Sequence, residues 1–329
     1  MRIAILGATG LIGHHTARAI VEKGIELTVI HRRSSNLDRL GDISFTSAVA
    51  DLDDKESLTE ALSSVDVVIN CAGYYPTIPR PWREEVARAR VQMDNFYSAC
   101  ADNSLEKIVY VGGSVALNKH PQGLPGNESL QYRSQPADKN AYLQVKWHMD
   151  RLASEQAEAG LPVAIGIPAT TLGEFDYGPT TGRFVVEVAN QSLPAYIEGQ
   201  RNIIYAGDAG RGLVRVCEAG RPGEHYLLTG TNIMMSEFIE KVAELASVPP
   251  PRCVSLRAAK TVAMIQSWRY RLLGGQPPRI SETVIGVMSA GQYLDGSKAE
   301  KELGFRASTS VDETIGRTLT WFRNSGYIN

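Results

Sequence analysis

Along the first half of the chain, short apolar runs alternate with longer stretches in which apolar residues recur every three or four positions. Arg2-Ile-Ala-Ile-Leu6 reads as a buried strand, since a parallel strand covered on both faces needs no polar alternation. From about Gly10 to Lys23 the spacing turns helical, with Leu11, Ile12, Ala17, Ile20 and Val21 on the inner side and a stop near Gly24. Further strands are predicted at 26–31, 44–50, 65–70, 107–111 and 162–167. Between the fourth and fifth lies a long helix, about Trp82 to Asn103, marked by Val86, Ala89, Met93, Phe96 and Cys100. Strand and helix in steady alternation predict an α/β fold built on a doubly wound parallel sheet, with ligands at the carboxyl ends of the strands.

The first such end carries Gly7-Ala8-Thr9-Gly10-Leu11-Ile12-Gly13. Its spacing is GxxGxxG rather than GxGxxG. The physics is shared: a tight turn, a backbone that can approach a pyrophosphate, and a helix N-terminus aimed at negative charge. With a strand before it and a helix after it, the loop predicts a Rossmann-type dinucleotide site formed by Gly7, Thr9, Gly10, Leu11, Ile12 and Gly13. An NAD site wants an acid at the end of the second strand to accept from the ribose hydroxyls. Here the sequence reads His31-Arg32-Arg33-Ser34-Ser35, and guanidiniums suit a 2'-phosphate. NADP is therefore the expected cofactor and NAD the alternative, with Arg32 as main ligand and Arg33, Ser34 and Arg39 as helpers. His14 and His15 have no metal-ligand spacing, and no metal is expected.

Tyr142 and Lys146 stand four residues apart on a predicted helix, so they share one face. A phenol of reference pKa about 10 must fall roughly three units to act near pH 7, which takes about 4 kcal/mol in favour of the phenolate. One adjacent cation at an effective dielectric of about 20 supplies a term of that size. Dinucleotide loop and Tyr-x-x-x-Lys together point to hydride transfer with a proton partner.

The chain has 329 residues, enough for a second lobe, and a formal net charge of −2, which predicts neither a nucleic-acid nor a membrane partner. Four cysteines far apart, no apolar run of about 18 residues, and a core strand starting at Met1 predict free thiols and a cytoplasmic location. Residues 1–171 are expected to form the dinucleotide domain, and 172–329 mostly a smaller, interleaved substrate lobe that closes over the nicotinamide side. Connections are expected at Val248–Arg252 and Gly274–Arg279, and capping boxes at Ser297/Glu300 and Ser310/Glu313 predict two terminal helices. By position, Tyr74, Tyr75, Phe175, Tyr177, Arg183, Phe184 and the loop from Asn118 to Gln135 are candidate walls for a small-molecule substrate. Helices near 82–103 and 138–159 offer faces for a homodimer.

In order, these motifs resemble the extended short-chain dehydrogenases/reductases, also called the NAD-dependent epimerase/dehydratase family. The resemblance covers essentially the whole chain: the glycine loop, Asp51-Leu52, Cys71-Ala72-Gly73, Ser114, and Tyr142 with Lys146. Within the family the likeness is greatest to dihydroflavonol-reductase-like proteins and hopanoid-associated sugar epimerases, through Gly178–Arg183, Leu193–Tyr196 and Ser297–Gly304. It implies that Tyr142 is the acid/base, that Lys146 tunes it and holds the nicotinamide ribose, and that Ser114 bonds the reacting oxygen. It also implies cofactor contacts from Asp51, Leu52, Cys71, Ala72, Gly73, Pro168 and Thr170. Two departures stand out: Gly112-Gly113-Ser114 leaves one hydroxyl at that strand end, and Leu6 replaces the common threonine. Gly112-Gly113-Ser114-Val115-Ala116 is one glycine short of a hydrolase nucleophile elbow. The implied function is an NADP(H)-dependent oxidoreductase. Its alternatives are a nucleotide-sugar epimerase or dehydratase and a non-enzymatic NADP sensor. Sugar-nucleotide members grip a diphosphate with two arginines. Arg201 matches the first, but no cation stands between Arg279 and Lys298 for the second.

Overall fold

The computed structural model describes residues 1–76, 80–273, 289 and 291–328. Its first part runs β1 (Arg2–Leu6), α1 (Leu11–Glu22), β2 (Glu26–His31), β3 (Thr46–Val49), α2 (Lys55–Leu62), β4 (Val67–Asn70), α3 (Trp82–Asp102), β5 (Lys107–Val111), α4 (Ala141–Glu158) and β6 (Val163–Pro168). Then follow β7 (Thr170–Leu172), α5 (Arg183–Ala189), β8 (Ala195–Ile197), β9 (Gln200–Tyr205), α6 (Ala206–Ala219), β10 (His225–Leu228) and β11 (Thr231–Met234). The rest is α7 (Met235–Ala246), β12 (Arg252–Val254), α8 (Leu256–Leu273), α9 (Ser297–Leu303) and α10 (Val311–Asn324).

Seven parallel strands form the main sheet in the order β10-β6-β5-β4-β1-β2-β3. Strand order reverses at β1, whose neighbours are β2 on one side and β4 on the other, and this opens a crevice at their carboxyl ends. The inner strands β4 and β6 are buried at every position, which explains their almost wholly apolar sequences, with Asn70 at the end of β4 the exception. Helices α1 and α6 meet backbone to backbone, since a Cβ on Gly210 would lie 2.6 Å from the His15 carbonyl carbon.

Strand β10 and helix α6 come from beyond residue 171 yet belong to the main core, together with Leu294, Ala299, Leu303 and Phe305. A second core gathers Leu172, Val185, Ile203, Phe238, Ile239, Ile315, Leu319 and Phe322 from α5, α7, α10 and the small sheet β11-β9-β7. The strands β12 and β8 pair separately.

Both terminal helices form, but only one through the expected cap. Ser310 accepts from the Glu313 amide at 3.2 Å. Ser297 is already helical behind Gly296, and its own amide is bound by Asp295 at 2.9 Å, so the motif there is not a capping box. The Gly274–Arg279 turn lies outside the described residues.

Candidate active site

The glycine loop fits a pyrophosphate by its own geometry. Gly7 has φ +80°, and a Cβ there would sit 2.9 Å from the Ala72 amide nitrogen and the Cys71 carbonyl carbon. A Cβ on Gly13 would lie 2.1 Å from the Gly7 carbonyl oxygen, so α1 crosses its own strand at a distance only glycine permits. Gly10 is exposed, and a Cβ on it would find only the Gly7 oxygen, at 3.5 Å. It opens a helix with no side-chain cap and no acid in the first turn, leaving that end's amides and dipole for an anion. Thr9, Leu11 and Ile12 flank the opening and are half-buried.

At the end of β2, Arg32 and Arg33 are exposed, and among the described residues neither faces a carboxylate partner. Arg39 is engaged: its guanidinium lies 4.6 Å from the Tyr177 ring centroid. Asp51 folds its own turn, accepting from the Asp53 amide at 3.1 Å, while the Leu52 carbonyl accepts from Asn95 at 2.9 Å. Cys71, Ala72 and Gly73 leave β4 over the glycine loop, with the Ala72 amide held by Asn70 at 3.0 Å. Burial pushes the Cys71 thiol up to about 12, against a hydrogen bond from Thr16, so it is no nucleophile. Pro168 and Thr170 end β6 and begin β7, and their backbones pair with Leu228 and Ile203.

Lys146 is brought to the tips of two strands. A Cβ on Gly73, after β4, would lie 3.1 Å from its Nζ, and one on Gly113, after β5, would touch its methylenes at 3.5–3.7 Å. Tyr142 stands one turn earlier, its ring centroid 6.0 Å from that Nζ. Ser114 opens a single 3₁₀ turn, residues 114–116, that packs against α4, and its carbonyl accepts from Gln292 at 3.3 Å. The start of α4 is fixed by Asn140, which caps the amides of Tyr142 and Leu143 at 3.0 and 3.2 Å. Gln144, fully buried, ties the preceding loop down by donating to the carbonyls of Pro136 and Asp138 at 2.9 and 2.6 Å.

The expected direction of the tyrosine's acidity does not hold. Burial, and then the neighbouring Tyr75, raise the Tyr142 phenol above its ordinary range, while burial lowers the Lys146 ammonium to about 8 against the pull of Asp150. Desolvation of the phenolate outweighs a cation 6.0 Å from the ring centroid, so the Tyr142 phenol keeps its proton.

Tyr75 lies beside Tyr142, ring centroids 4.9 Å apart, while Tyr74 donates to the buried Glu85 at 2.5 Å. Phe175, at φ +67°, stacks on His14 at 3.8 Å and has Trp321 and Tyr177 as further ring neighbours. Arg183 is exposed and pairs with Glu187 at 3.4 Å. The turn it belongs to is organised by buried Asp176, which accepts from the amides of Thr180 and Gly182 at 2.9 and 3.2 Å. Arg201 is half-buried, donates to the Gln200 carbonyl at 2.7 Å, and is pushed down to about 10 by burial.

Three groups escaped the sequence reading. Asp150, one turn past Lys146, accepts from His225 Nε2 at 3.0 Å, and His225 Nδ1 meets Gln131 Nε2 at 3.1 Å. Only the i, i+4 spacing of Lys146 and Asp150 was visible. Lys119, in the loop after β5, is lowered by burial and then by the charge of Arg201, so these cations are neighbours. Asp176 gave no motif. Among the described residues, no cluster of His, Cys, Asp and Glu could hold a metal ion, and no helix is long and apolar enough to cross a membrane.

Residues 3–229 match the model of the NAD dependent epimerase/dehydratase family. Over 98% of its length and 95% of the other's, the chain is 28% identical to a Synechocystis sp. protein provisionally named dihydroflavonol 4-reductase. It is 25% identical to sterol demethylase protein B of Methylococcus capsulatus, with 100% of both chains covered. Among solved structures, a nucleoside-diphosphate-sugar epimerase from Pseudomonas aeruginosa is 43% identical with a TM-score of 0.88, covering 100% of this chain and 99% of that one.

Proposed function

Since the chain belongs to the NAD dependent epimerase/dehydratase family and is an NAD(P)-dependent enzyme of the extended short-chain dehydrogenase/reductase type, we propose that it transfers a hydride between NADP(H) and the carbonyl or hydroxyl carbon of a small apolar compound. The observation that carries this reading is the grouping of Lys146 at the β4 and β5 tips with a half-buried Tyr142 one turn behind it, its ring 6.0 Å from the ammonium. The dinucleotide, when bound, supplies or accepts the hydride.

The glycine loop holds the pyrophosphate, and Arg32 with Arg33 selects the 2'-phosphate. Lys146 bonds the nicotinamide ribose, with Gly73 and Gly113 leaving room for its stem. Tyr142 gives its proton to the oxygen of a carbonyl being reduced. A phenol kept above its ordinary pKa is poised as donor, and proximity of the ammonium grows in value as negative charge develops on the oxygen. The Ser114 hydroxyl accompanies Tyr142 at that oxygen. Tyr75 and the second core's segments wall the substrate side and exclude water.

The names of two relatives, a dihydroflavonol reductase and a sterol demethylase component, support an apolar substrate. The juxtaposition of Lys119 and Arg201 favours a second reading, a nucleotide-sugar epimerase, because a second cation could take the place of the missing arginine. The outer faces of α3 and α4 are our candidates for a homodimer contact, checked by light scattering.

The test follows NADPH oxidation against a panel of apolar ketones and sugar nucleotides. Tyr142→Phe should bind NADPH normally yet lose about a hundred- to ten-thousandfold in turnover. Full activity of that variant on any reduced carbonyl would overturn the assignment.

A further inference from the structure

Helix α8 turns its apolar side outward. It packs on the rest of the chain through Ala259 and Ala263, which form a small cluster with Ile197 and Val254. At 100° per residue these alanines centre one face, and the opposite face carries Met264, Trp268, Leu272 and Ile265 within a sector of about 100°. All four are exposed, Ile265 to 59% and Trp268 to 67%. Exposed Lys260 flanks this stripe on one side and exposed Arg269 on the other, with Arg257 at its N-terminal end. Arg271 adds a fourth cation to the helix, and from Leu245 to Ser281 the sequence has no Asp or Glu.

An outward apolar stripe with a tryptophan, bordered by cations and free of acids, has the composition of a helix lying in a lipid interface. We propose that α8 docks this protein on an anionic membrane surface, with Met264, Ile265, Trp268 and Leu272 entering the headgroup boundary and Arg257, Lys260 and Arg269 pairing with lipid phosphates. Charge decides against a second copy as occupant. A twofold contact sets the same patch against itself, and here that brings these cations together without an acid on the helix to meet them. A lipid leaflet instead offers negative headgroups above apolar chains, matching both parts of the face. The inference is independent of the hydride-transfer reading, because it concerns attachment and not turnover.

The test is co-sedimentation of the full chain with vesicles of phosphatidylglycerol and phosphatidylcholine in equal parts, and with vesicles of phosphatidylcholine alone. Wild type should bind the anionic vesicles, with a blue shift in tryptophan emission that is absent in Trp268→Phe. Salt should release it, as surface attraction is screened within a Debye length. The triple variant Arg257→Gln/Lys260→Gln/Arg269→Gln should weaken partition about a hundredfold, and Met264→Ser/Ile265→Ser/Trp268→Ser should abolish it. These positions are exposed, so melting temperatures should stay near wild type, and activity on a water-soluble substrate should be unchanged. The proposal is overturned if wild type ignores anionic vesicles at low salt, or if both triple variants bind like wild type. It is equally overturned if wild type is a dimer that the serine variant makes monomeric while no vesicle binds.

Discussion

His225 donates from Nε2 to a carboxylate oxygen of Asp150 at 3.0 Å, and Asp150 stands one helical turn past Lys146. On its other side, His225 Nδ1 lies 3.1 Å from Gln131 Nε2, an amide nitrogen that can only donate. Asp150 lies among the buried phenols of Tyr97 and Tyr110, both kept protonated by burial. Lys146 is lowered to about 8 by burial, and Asp150 opposes the fall. In the reduction direction kcat/KM should be level on the acid side and decline above about pH 8, as the ammonium beside the reacting oxygen is lost. Asp150→Asn should move that bend to lower pH. A pH–rate profile with the bend unmoved would remove Asp150 from the account. The stability sign is opposite: the unfolded lysine titrates at its ordinary 10.5, so between about 8 and 10.5 the unfolded chain binds more protons and this group's contribution to stability rises with pH.

Cofactor choice rests on Arg32 and Arg33, exposed at the end of β2 without a carboxylate partner among the described residues. Each charge-assisted bond to a 2'-phosphate contributes about 1.5 to 3 kcal/mol, roughly ten- to a hundredfold in affinity. NADPH should bind correspondingly tighter than NADH, and Arg32→Ala should erase most of the difference. Fluorescence titrations giving equal dissociation constants for the two in the unaltered protein would reject this reading.

Much of the fold was legible because its signals are local: an apolar run long enough for one strand, glycines where a Cβ has no room, a helical period with a stop. Gly13 announced its close crossing in one letter. The phenol's acidity was not legible, because spacing puts Lys146 near Tyr142 but says nothing of how much water each loses on burial. Nor was the partnership of Lys119 with Arg201 or of Asp150 with His225, since each joins segments tens of residues apart. Net charge is a whole-chain average. A chain total of −2 averages away the acid-free stretch around α8, and only the exposed face shows those cations gathered beside apolar side chains.

His14 is buried against Phe175, rings 3.8 Å apart and nearly parallel, and its Nδ1 has no partner among the described residues. Burial first, then His15 and Arg18, lower it to about 3. Its folded pKa lies below the ordinary 6.5, so its stabilising contribution is complete above about pH 6.5 and lost as pH falls towards 3. The full difference is on the order of 5 kcal/mol. His14→Phe, which keeps a ring against Phe175, should lose less stability than wild type between pH 7.5 and pH 5. Parallel denaturant midpoints at the two pH values in both proteins would contradict the assignment.

The last prediction separates the two substrate classes at Arg201. A sugar nucleotide brings a diphosphate whose charges, leaving water, need planar or multiple cationic donors. Arg201 and Lys119 are neighbours, but each already spends a donor on the backbone: Arg201 on the Gln200 carbonyl at 2.7 Å, Lys119 on the Ser289 carbonyl at 2.5 Å. The guanidinium is also wedged against the chain, for a Cβ on Gly291 would lie 1.9 Å from its Nη1. A diphosphate would have to share both cations with these carbonyls and reopen the packing around the guanidinium, which weakens its hold. UDP, dTDP and GDP should therefore bind no tighter than about millimolar, near −4 kcal/mol, when titrated by calorimetry. Arg201→Ala should leave such binding unchanged and lower stability instead. Micromolar binding of any of the three, lost in both Arg201→Ala and Lys119→Ala, would reverse the conclusion: the two cations would be the diphosphate clamp, and the epimerase reading would take precedence over the carbonyl reductase.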